Sequence, residues 1–309
     1  MKQTVRIMTL LLCALLLLAP LGCRQAEPAD TRPSVVVTIF PQYDFIRAIA
    51  GERVRLLMLT KPGSEVHGYD PTFQEVSEIL HSDLFVYVGG ESDNWVEDVL
   101  KKSDKTVNTL MLMELCDTLD EETVEGMQAE EEEAQKDEHV WTSPKNAIRI
   151  VDGLTEALCA LLPQEADAMR NNAAAYTAAL NELDAEFHDV MAHAARSTVV
   201  FAERFPFRYL CDELHLTYYA ALPGCSSNEE VSLSTIAFLI DRVREERLPG
   251  VFYIEFSDKK TADAIAAATG CQKWLLHSCH NVSRADFENG VTYLDLMRTN
   301  LENLKKAVN

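Results

Sequence analysis

The sequence predicts an α/β protein of two lobes, each a mainly parallel sheet flanked by helices, joined by one long spine helix. Three observations carry this. Short β-branched runs at 34–40, 54–60 and 84–88 alternate with helix-like stretches at 43–50 and 72–81, the order of a parallel sheet with crossover helices. From Pro163 to about Ala195 there is no glycine and no further proline. Within that stretch Ala166, Met169, Ala173, Tyr176, Leu180, Leu183, Phe187 and Val190 recur three or four residues apart, the stripe of one amphipathic helix. Beyond it, strand-like runs at 198–202, 217–221, 251–255 and 273–276 alternate with helical stretches at 207–214, 232–246 and 259–269. The plan of the first half therefore repeats.

Taken in order, the 309-residue chain begins with Lys2 and Arg6, an apolar run from Met8 to Leu18, and then Ala19-Pro-Leu-Gly-Cys23, the layout of a secretion signal. The run is too short to span a bilayer, which takes roughly 20 apolar residues, and no later segment is apolar for that length. Gly22 before Cys23 resembles a bacterial lipoprotein cleavage site, although Pro20 departs from the usual aliphatic residue. Residues 1–23 are thus expected to be a signal with Cys23 lipidated; plain secretion with an incidental Cys23 is the other reading. Residues 24–33, rich in Ala, Pro and charge, read as a tether. Roughly 285 residues remain, more than one core usually serves, so lobes are expected at 34–162 and 196–309 around the spine at 163–195. About 30 helical residues give on the order of 45 Å. The stripe holds too many alanines for a strong coiled-coil zipper, so a monomer is expected. A closing helix at 293–307 places Leu294, Met297, Leu301 and Leu304 on one face.

Acidic side chains outnumber basic ones 49 to 28, a net charge of −21, which argues against nucleic acid as a partner. Such charge raises the local cation concentration or simply serves solubility. Residues 117–138 hold eleven acids and one lysine and are expected to form a mobile, solvated loop. Its Glu130 to Glu133 run either collects cations ahead of His139 or is only a solvated surface. The eight cysteines include no CxxC pair, which excludes a zinc ribbon. Cys225 and Cys279, both in loop-like segments, are the first guess for a disulfide in an oxidising compartment; thiolate ligation of zinc is the alternative.

In parallel α/β sheets ligands bind beyond the carboxyl ends of the strands, and four candidate ligands fall there. His67 follows the run ending at Thr60, Glu203 the run ending at Ala202, and His277 the run ending at Leu276; His139 follows the acidic loop and precedes Pro144. Two come from each lobe, so an ion held by all four would sit in the cleft and link the halves. Neutral imidazoles with a carboxylate favour zinc over harder cations. His81, His188, His193 and His215 lie on helices amid polar neighbours and read as surface side chains.

The motifs Val35-Val-Val-Thr-Ile-Phe-Pro-Gln-Tyr43, Pro62-Gly-Ser-Glu-Val-His-Gly-Tyr-Asp-Pro-Thr72 and Asp137-Glu-His-Val-Trp-Thr-Ser-Pro144, with the spine and Tyr293-Leu-Asp-Leu-Met-Arg-Thr-Asn-Leu301, resemble the zinc/manganese-type substrate-binding lipoproteins of bacterial ABC importers. The resemblance spans nearly the whole mature length. It implies that His67 and His139 are metal ligands. Where that family has a third histidine or a glutamate five residues before a tyrosine, this chain has Arg204 before Tyr209, and guanidinium has no lone pair to give. Neighbouring Glu203 either supplies the oxygen or pairs with Arg204. Where the family places its last aspartate, the chain has His277 in His277-Ser-Cys-His-Asn281; His280 competes for the role, and whichever does not ligate serves as an outer support.

The expectation is an extracytoplasmic protein, lipid-anchored to the cell membrane, that binds Zn²⁺ in preference to Mn²⁺ or another divalent ion and hands it to an ABC importer permease, catalysing no reaction. Two rivals stand beside it. In a zinc-dependent hydrolase Glu138 would act as base, but the HExxH signature is missing. In a surface adhesin the metal would be structural, and stripping it would unfold the chain.

Overall fold

Val35, Val36 and Val37 are completely buried because β1 (Ser34–Val37) is an inner strand of a parallel sheet, where both faces are covered and no polar alternation is required. The computed structural model describes residues 30–65, 68–102, 106–128, 135–224 and 230–309. It divides into a unit Met1–Arg32 and a unit Pro33–Asn309. In the first only Asp30–Arg32 are described, with Arg32 paired to Asp30 at 2.7 Å. The signal and Cys23 lie outside the described residues, and the second unit carries both sheets.

After β1 come α1 (Phe40–Ala50), β2 (Arg55–Met58), α2 (Phe73–Leu80), β3 (Leu84–Tyr87), α3 (Trp95–Lys101) and β4 (Thr109–Met111). Two long helices follow, α4 (Pro144–Leu161) and α5 (Ala166–Ala192). The second half runs β5 (Thr198–Phe205), α6 (Arg208–Glu213), β6 (Thr217–Pro223), α7 (Leu233–Glu245), β7 (Gly250–Tyr253), α8 (Lys260–Thr269) and β8 (Gln272–Leu275), then α9 (Arg284–Glu288) and α10 (Tyr293–Val308). The sheets have the orders β2-β1-β3-β4 and β6-β5-β7-β8, and every pairing is parallel. Both therefore reverse their winding between first and third strands, the point where α/β sheets open a crevice for ligands.

The spine is α5. Its Met169, Ala173, Leu180, Leu183 and Phe187 are buried, while Ala166, Tyr176 and Val190 pack at the rim. It begins at Ala166, after a tighter 3-10 turn over Pro163–Glu165, and Pro163 disfavours helical backbone at the residue before it. Leu162 accordingly leaves the helical region (φ −130°, ψ 67°) and ends α4. α4 packs along α5, and one apolar core runs from β1 through both helices to Phe201, Phe205 and Phe252 of the second sheet.

The acidic segment departs from expectation. Its described part is seated on the second half rather than free: Glu122 accepts from the Tyr218 hydroxyl at 2.9 Å, the Gln128 amide donates to Ala221 O at 2.9 Å, and Met127 is buried. Asp137 and Glu138 are also buried. Residues 129–134, which hold the Glu130 to Glu133 run, lie outside the described residues.

Glu213, at the end of α6, accepts from the hydroxyl of Ser143, the N-cap of α4, and faces Asp184 of α5. Burial pushes its carboxyl up from 4.5 to about 7, reinforced by Asp184 and opposed by the Ser143 bond and the charge of His188. A folded-state pKa above the unfolded value means that the native protein holds a proton the unfolded chain releases between these limits, so this residue's contribution to stability falls as pH rises from about 4.5 to about 7. Urea unfolding of Glu213→Gln is expected to show a flatter pH dependence across that window than the parent; an unchanged slope would contradict the assignment.

Candidate metal centre

The centre is organised by a loop of the second half that is held by the first. Leaving β8, His277 donates its backbone N–H to Asn300 Oδ1 and its carbonyl accepts from Asn300 Nδ2, both at 2.7 Å. Cys279 adopts φ +61°, a left-handed conformation uncommon for a residue with a side chain, and sends the chain back across the crevice. There His280 O accepts from Phe40 N at 3.2 Å, Val282 O accepts from Gly63 N at 2.8 Å, and Asn281 Nδ2 donates to Lys61 O and Ser64 O at 2.8 and 2.9 Å. Trp141, completely buried, donates its indole N–H to Ser278 O at 2.8 Å, and its own carbonyl accepts from the Tyr293 hydroxyl at 2.6 Å.

His139 sits next to this loop with no exposed surface. Asp137 Oδ1 accepts from both its backbone N–H (2.8 Å) and its ring Nδ1 (3.1 Å). A carboxylate on Nδ1 fixes the proton there and leaves the lone pair on Nε2, the arrangement that orients metal-binding histidines. Burial alone would lower the imidazole pKa; the charge and hydrogen bond of Asp137, with Glu138 and Glu121, outweigh it and raise the pKa above its ordinary value. The pocket thus favours positive charge at this ring. The His280 ring lies 5.6 Å from it at 85°, and both rings pack on Trp141 at 5.4 and 4.9 Å.

His280 opens into two crevices, one at each sheet's winding reversal. Toward the first half the lining includes Thr38, Thr60, Val88, Ser92 and Asp93. Toward the second it includes Ser64, Glu65, Arg204, Gly224 and Glu255, continuing into a space of about 160 Å³ bordered by Glu203, Ser257 and Asp258. Apart from Arg204 and His280 itself, the acidic and basic side chains of this lining are all carboxylates, which sets a negative potential around the rings.

The residues expected from the sequence are placed as follows. His67 lies outside the described residues. Glu203 accepts from Ile254 N (3.3 Å) and from the Ser257 hydroxyl, bracing the end of β7. Arg204 does not pair with Glu203 as its main partner but with Glu65 across the crevice, at 2.8 Å. His277 turns into its own loop: its Nδ1 accepts from Cys279 N at 2.9 Å and lies 3.6 Å from Glu255. Of the two competing histidines it is His280 that faces His139. Among the described residues, His139, Glu203 and His277 do not converge; the trio whose donor atoms lie within 4.8 Å of one another is Asp184, His188 and Glu213, on α5 and α6. The Cys225–Cys279 pairing is not formed, because the Cys279 thiol is free and buried beneath the loop, where burial and nearby Glu255 and Asp44 push its pKa well up; Cys225 lies outside the described residues. Glu138 accepts from the Ser92 amide and hydroxyl.

Sequence reasoning missed Glu255, Glu65 and Gly224. Gly224 directly follows β6 and Glu255 lies two residues past β7, the strand-end signal by which Glu203 was chosen, although Glu203 itself lies within β5. A Cβ on Gly224 would lie 2.9 Å from Phe205 O and 3.0 Å from His139 Cε1, so the absence of a side chain is what lets the ring sit there.

Two sheets open at their winding reversals onto polar crevices that share His280, a spine helix behind them: this is a two-lobed binding protein whose donors suit a divalent cation. The family described as zinc-uptake complex component A, periplasmic, matches residues 35–307, and the chain belongs to it. It is 29% identical over 301 residues to the zinc-binding lipoprotein AdcA of Streptococcus pneumoniae, covering 96% of this chain and 59% of that one, so the chain spans about three-fifths of the relative's length. It is 26% identical to the high-affinity zinc uptake system protein ZnuA of Bacillus subtilis, covering 92% and 90%. The crystal structure of the Zn(II)-bound ZnuA-like domain of S. pneumoniae AdcA superposes with a TM-score of 0.76 at 27% identity, covering 90% of this chain and 99% of that domain.

Gly224→Ala is expected to displace the His139 ring. Overpacking costs about 1–3 kcal/mol, so affinity for Zn²⁺, read by competition with a chromophoric chelator, should fall about tenfold or more. Unchanged affinity would show that the ring does not depend on this gap.

Proposed function

We propose that the protein binds Zn²⁺ in the crevice outside the cytoplasmic membrane, tethered by lipid at Cys23, and delivers it as cargo to the permease of an ABC importer, as a monomer and without catalysing a reaction. The observation that carries this is the pairing of the buried His139 and His280 rings at 5.6 Å, from opposite halves of the chain, with Asp137 orienting the first. Family membership and the zinc-binding relatives support the choice of cargo. His67, two residues beyond Glu65 in sequence, supplies the third imidazole in this reading. Three neutral imidazoles among carboxylates suit zinc better than manganese, and a tetrahedral ion keeps one position for a carboxylate or water. In place of the Glu203 and His277 pair expected from sequence, His280 ligates, while His277 and Glu203 brace the loops on either side of it.

Zinc titration of His139→Ala, His280→Ala, His67→Ala and His277→Ala separates the two ligand sets. Loss of an outer support costs about 10–100-fold in affinity, so each of the first three is expected to lose on the order of 100-fold or more, and His277→Ala markedly less. Full zinc affinity in His280→Ala would sink the assignment. The fold is expected to survive chelation, since the core and the loop bonds do not run through the ion; unfolding on metal removal would favour the structural, adhesin-type reading.

A further inference from the structure

The spine helix α5 carries the spacing Asp-x-x-x-His twice in succession, as Asp184 with His188 and as Asp189 with His193. Residues four apart on a helix are neighbours on one face, so each pair can turn a carboxylate and an imidazole toward one point. In both, ring Nδ1 lies against the carbonyl oxygen one turn back, Asp184 O at 3.0 Å for His188 and Asp189 O at 2.9 Å for His193. A carbonyl only accepts, so Nδ1 carries the proton there and Nε2 keeps the lone pair that a metal needs.

The two pairs differ in what stands opposite them. Asp189 and His193 are about three-quarters exposed, and among the described residues no third donor joins them. Asp184 and His188 meet Glu213, the last residue of α6, and one donor atom from each of the three lies within 4.8 Å of the others. Donors that share one zinc-class ion sit at most roughly 4 Å apart, each bond being about 2 Å, so small side-chain turns close the set. Within it, Asp184 Oδ1 and Glu213 Oε1 have essentially no accessible surface and no hydrogen-bond donor. Buried polar atoms normally have a partner, and neighbouring carboxylates repel unless a proton or a cation stands between them. The other Glu213 oxygen accepts from the Ser143 hydroxyl, which fixes that carboxylate from behind. On the open side the His188 side chain is 52% exposed, which leaves an ion a path from water.

We infer that Asp184, His188 and Glu213 form a second divalent-cation site, apart from the crevice, that takes a zinc-class ion and fastens the spine helix to the second half. None of the three lines the crevices described above. One imidazole with two carboxylates suits Zn²⁺ and its transition-metal neighbours, whereas Ca²⁺ and Mg²⁺ take all-oxygen sets. Three protein donors leave a tetrahedral ion one position for water. The ion joins α5 to α6 and, through Glu213 and Ser143, to the N-cap of α4. With one imidazole and a half-exposed rim it is the weaker of the two sites and fills after the crevice. The inference stands on this geometry and does not require the function proposed above.

The test titrates the full chain with Zn²⁺ by calorimetry, at a pH where carboxylates are ionised, in the parent, His188→Ala, Asp184→Asn and Glu213→Gln. His193→Ala, from the pair without a third donor, is the control, and a His139→Ala, His280→Ala double variant removes the crevice rings. The parent is expected to take a tight and a weaker ion. The weaker one should lose about tenfold or more in affinity in each of the three trio variants, with the tight one unchanged, and both should persist in His193→Ala. His188 is half exposed, so His188→Ala should melt like the parent without metal, which keeps the comparison free of misfolding. A second ion that persists at full affinity in His188→Ala, or that His193→Ala weakens equally, would overturn the inference in favour of ordinary surface binding. A parent that takes one ion, lost with the crevice rings, would overturn it and leave the proposed function standing. One ion kept by the crevice variant and lost in His188→Ala would uphold it and sink the proposed function instead.

Discussion

The loop from His277 to Val282 belongs to the second sheet by sequence and to the first by bonding. Four backbone or amide bonds tie it to Phe40, Gly63, Lys61 and Ser64, and the Trp141 indole reaches it from the other side. The rest of the site depends on that constraint. His280 faces His139 because its own carbonyl is fastened to the start of α1 and because Trp141 packs against both rings. Buried hydrogen bonds of this kind are costly to break without replacement, and Asn300 and Glu255 hold the loop from behind. The His139 and His280 rings are therefore held by the protein itself, and groups fixed in advance lower the ordering cost of binding.

Arg204 gives the crevice its second feature. It stands among Glu65, Glu203, Glu255 and Asp258, so a cation in the crevice meets a lining in which negative charge exceeds positive. The guanidinium cannot ligate. Its bond to Glu65 crosses the crevice mouth with side chains 16% and 44% exposed, and partly exposed pairs of this kind contribute on the order of 1 kcal/mol or less. It is a contact that opens easily, unlike the buried loop behind it.

The sheets and the spine were legible because they rest on periodicity: uninterrupted β-branched runs for strands covered on both faces, and a three-four stripe for α5. The short edge strand β4, only partly buried, gave no such signal. Site residues were legible as far as the loop that carries them, and less so within it. Between His277 and His280 the deciding fact is the left-handed turn at Cys279, which a non-glycine residue does not announce. Between Glu203 and Arg204 it is a register shift in β5 between Phe201 and Arg204, which upsets the alternation that would assign neighbours to opposite faces. The acidic segment looked solvated because its partners Tyr218, Ala221 and Ser232 lie about a hundred residues further on.

These stiff and weak contacts together determine how the molecule can move. A wide hinge would require the two halves to part, yet one apolar core runs through α4 and α5 into both sheets, and packed cores resist continuous deformation. The His277 to Val282 loop adds a second attachment nearer the ion. Two attachments at different points suppress rotation about either. The softer contact is at the mouth, where the Arg204–Glu65 pair, with side chains 16% and 44% exposed, spans the gap. In the proposed function, entry and exit of an ion then fall to local rearrangement at that mouth rather than to movement of the lobes as whole bodies.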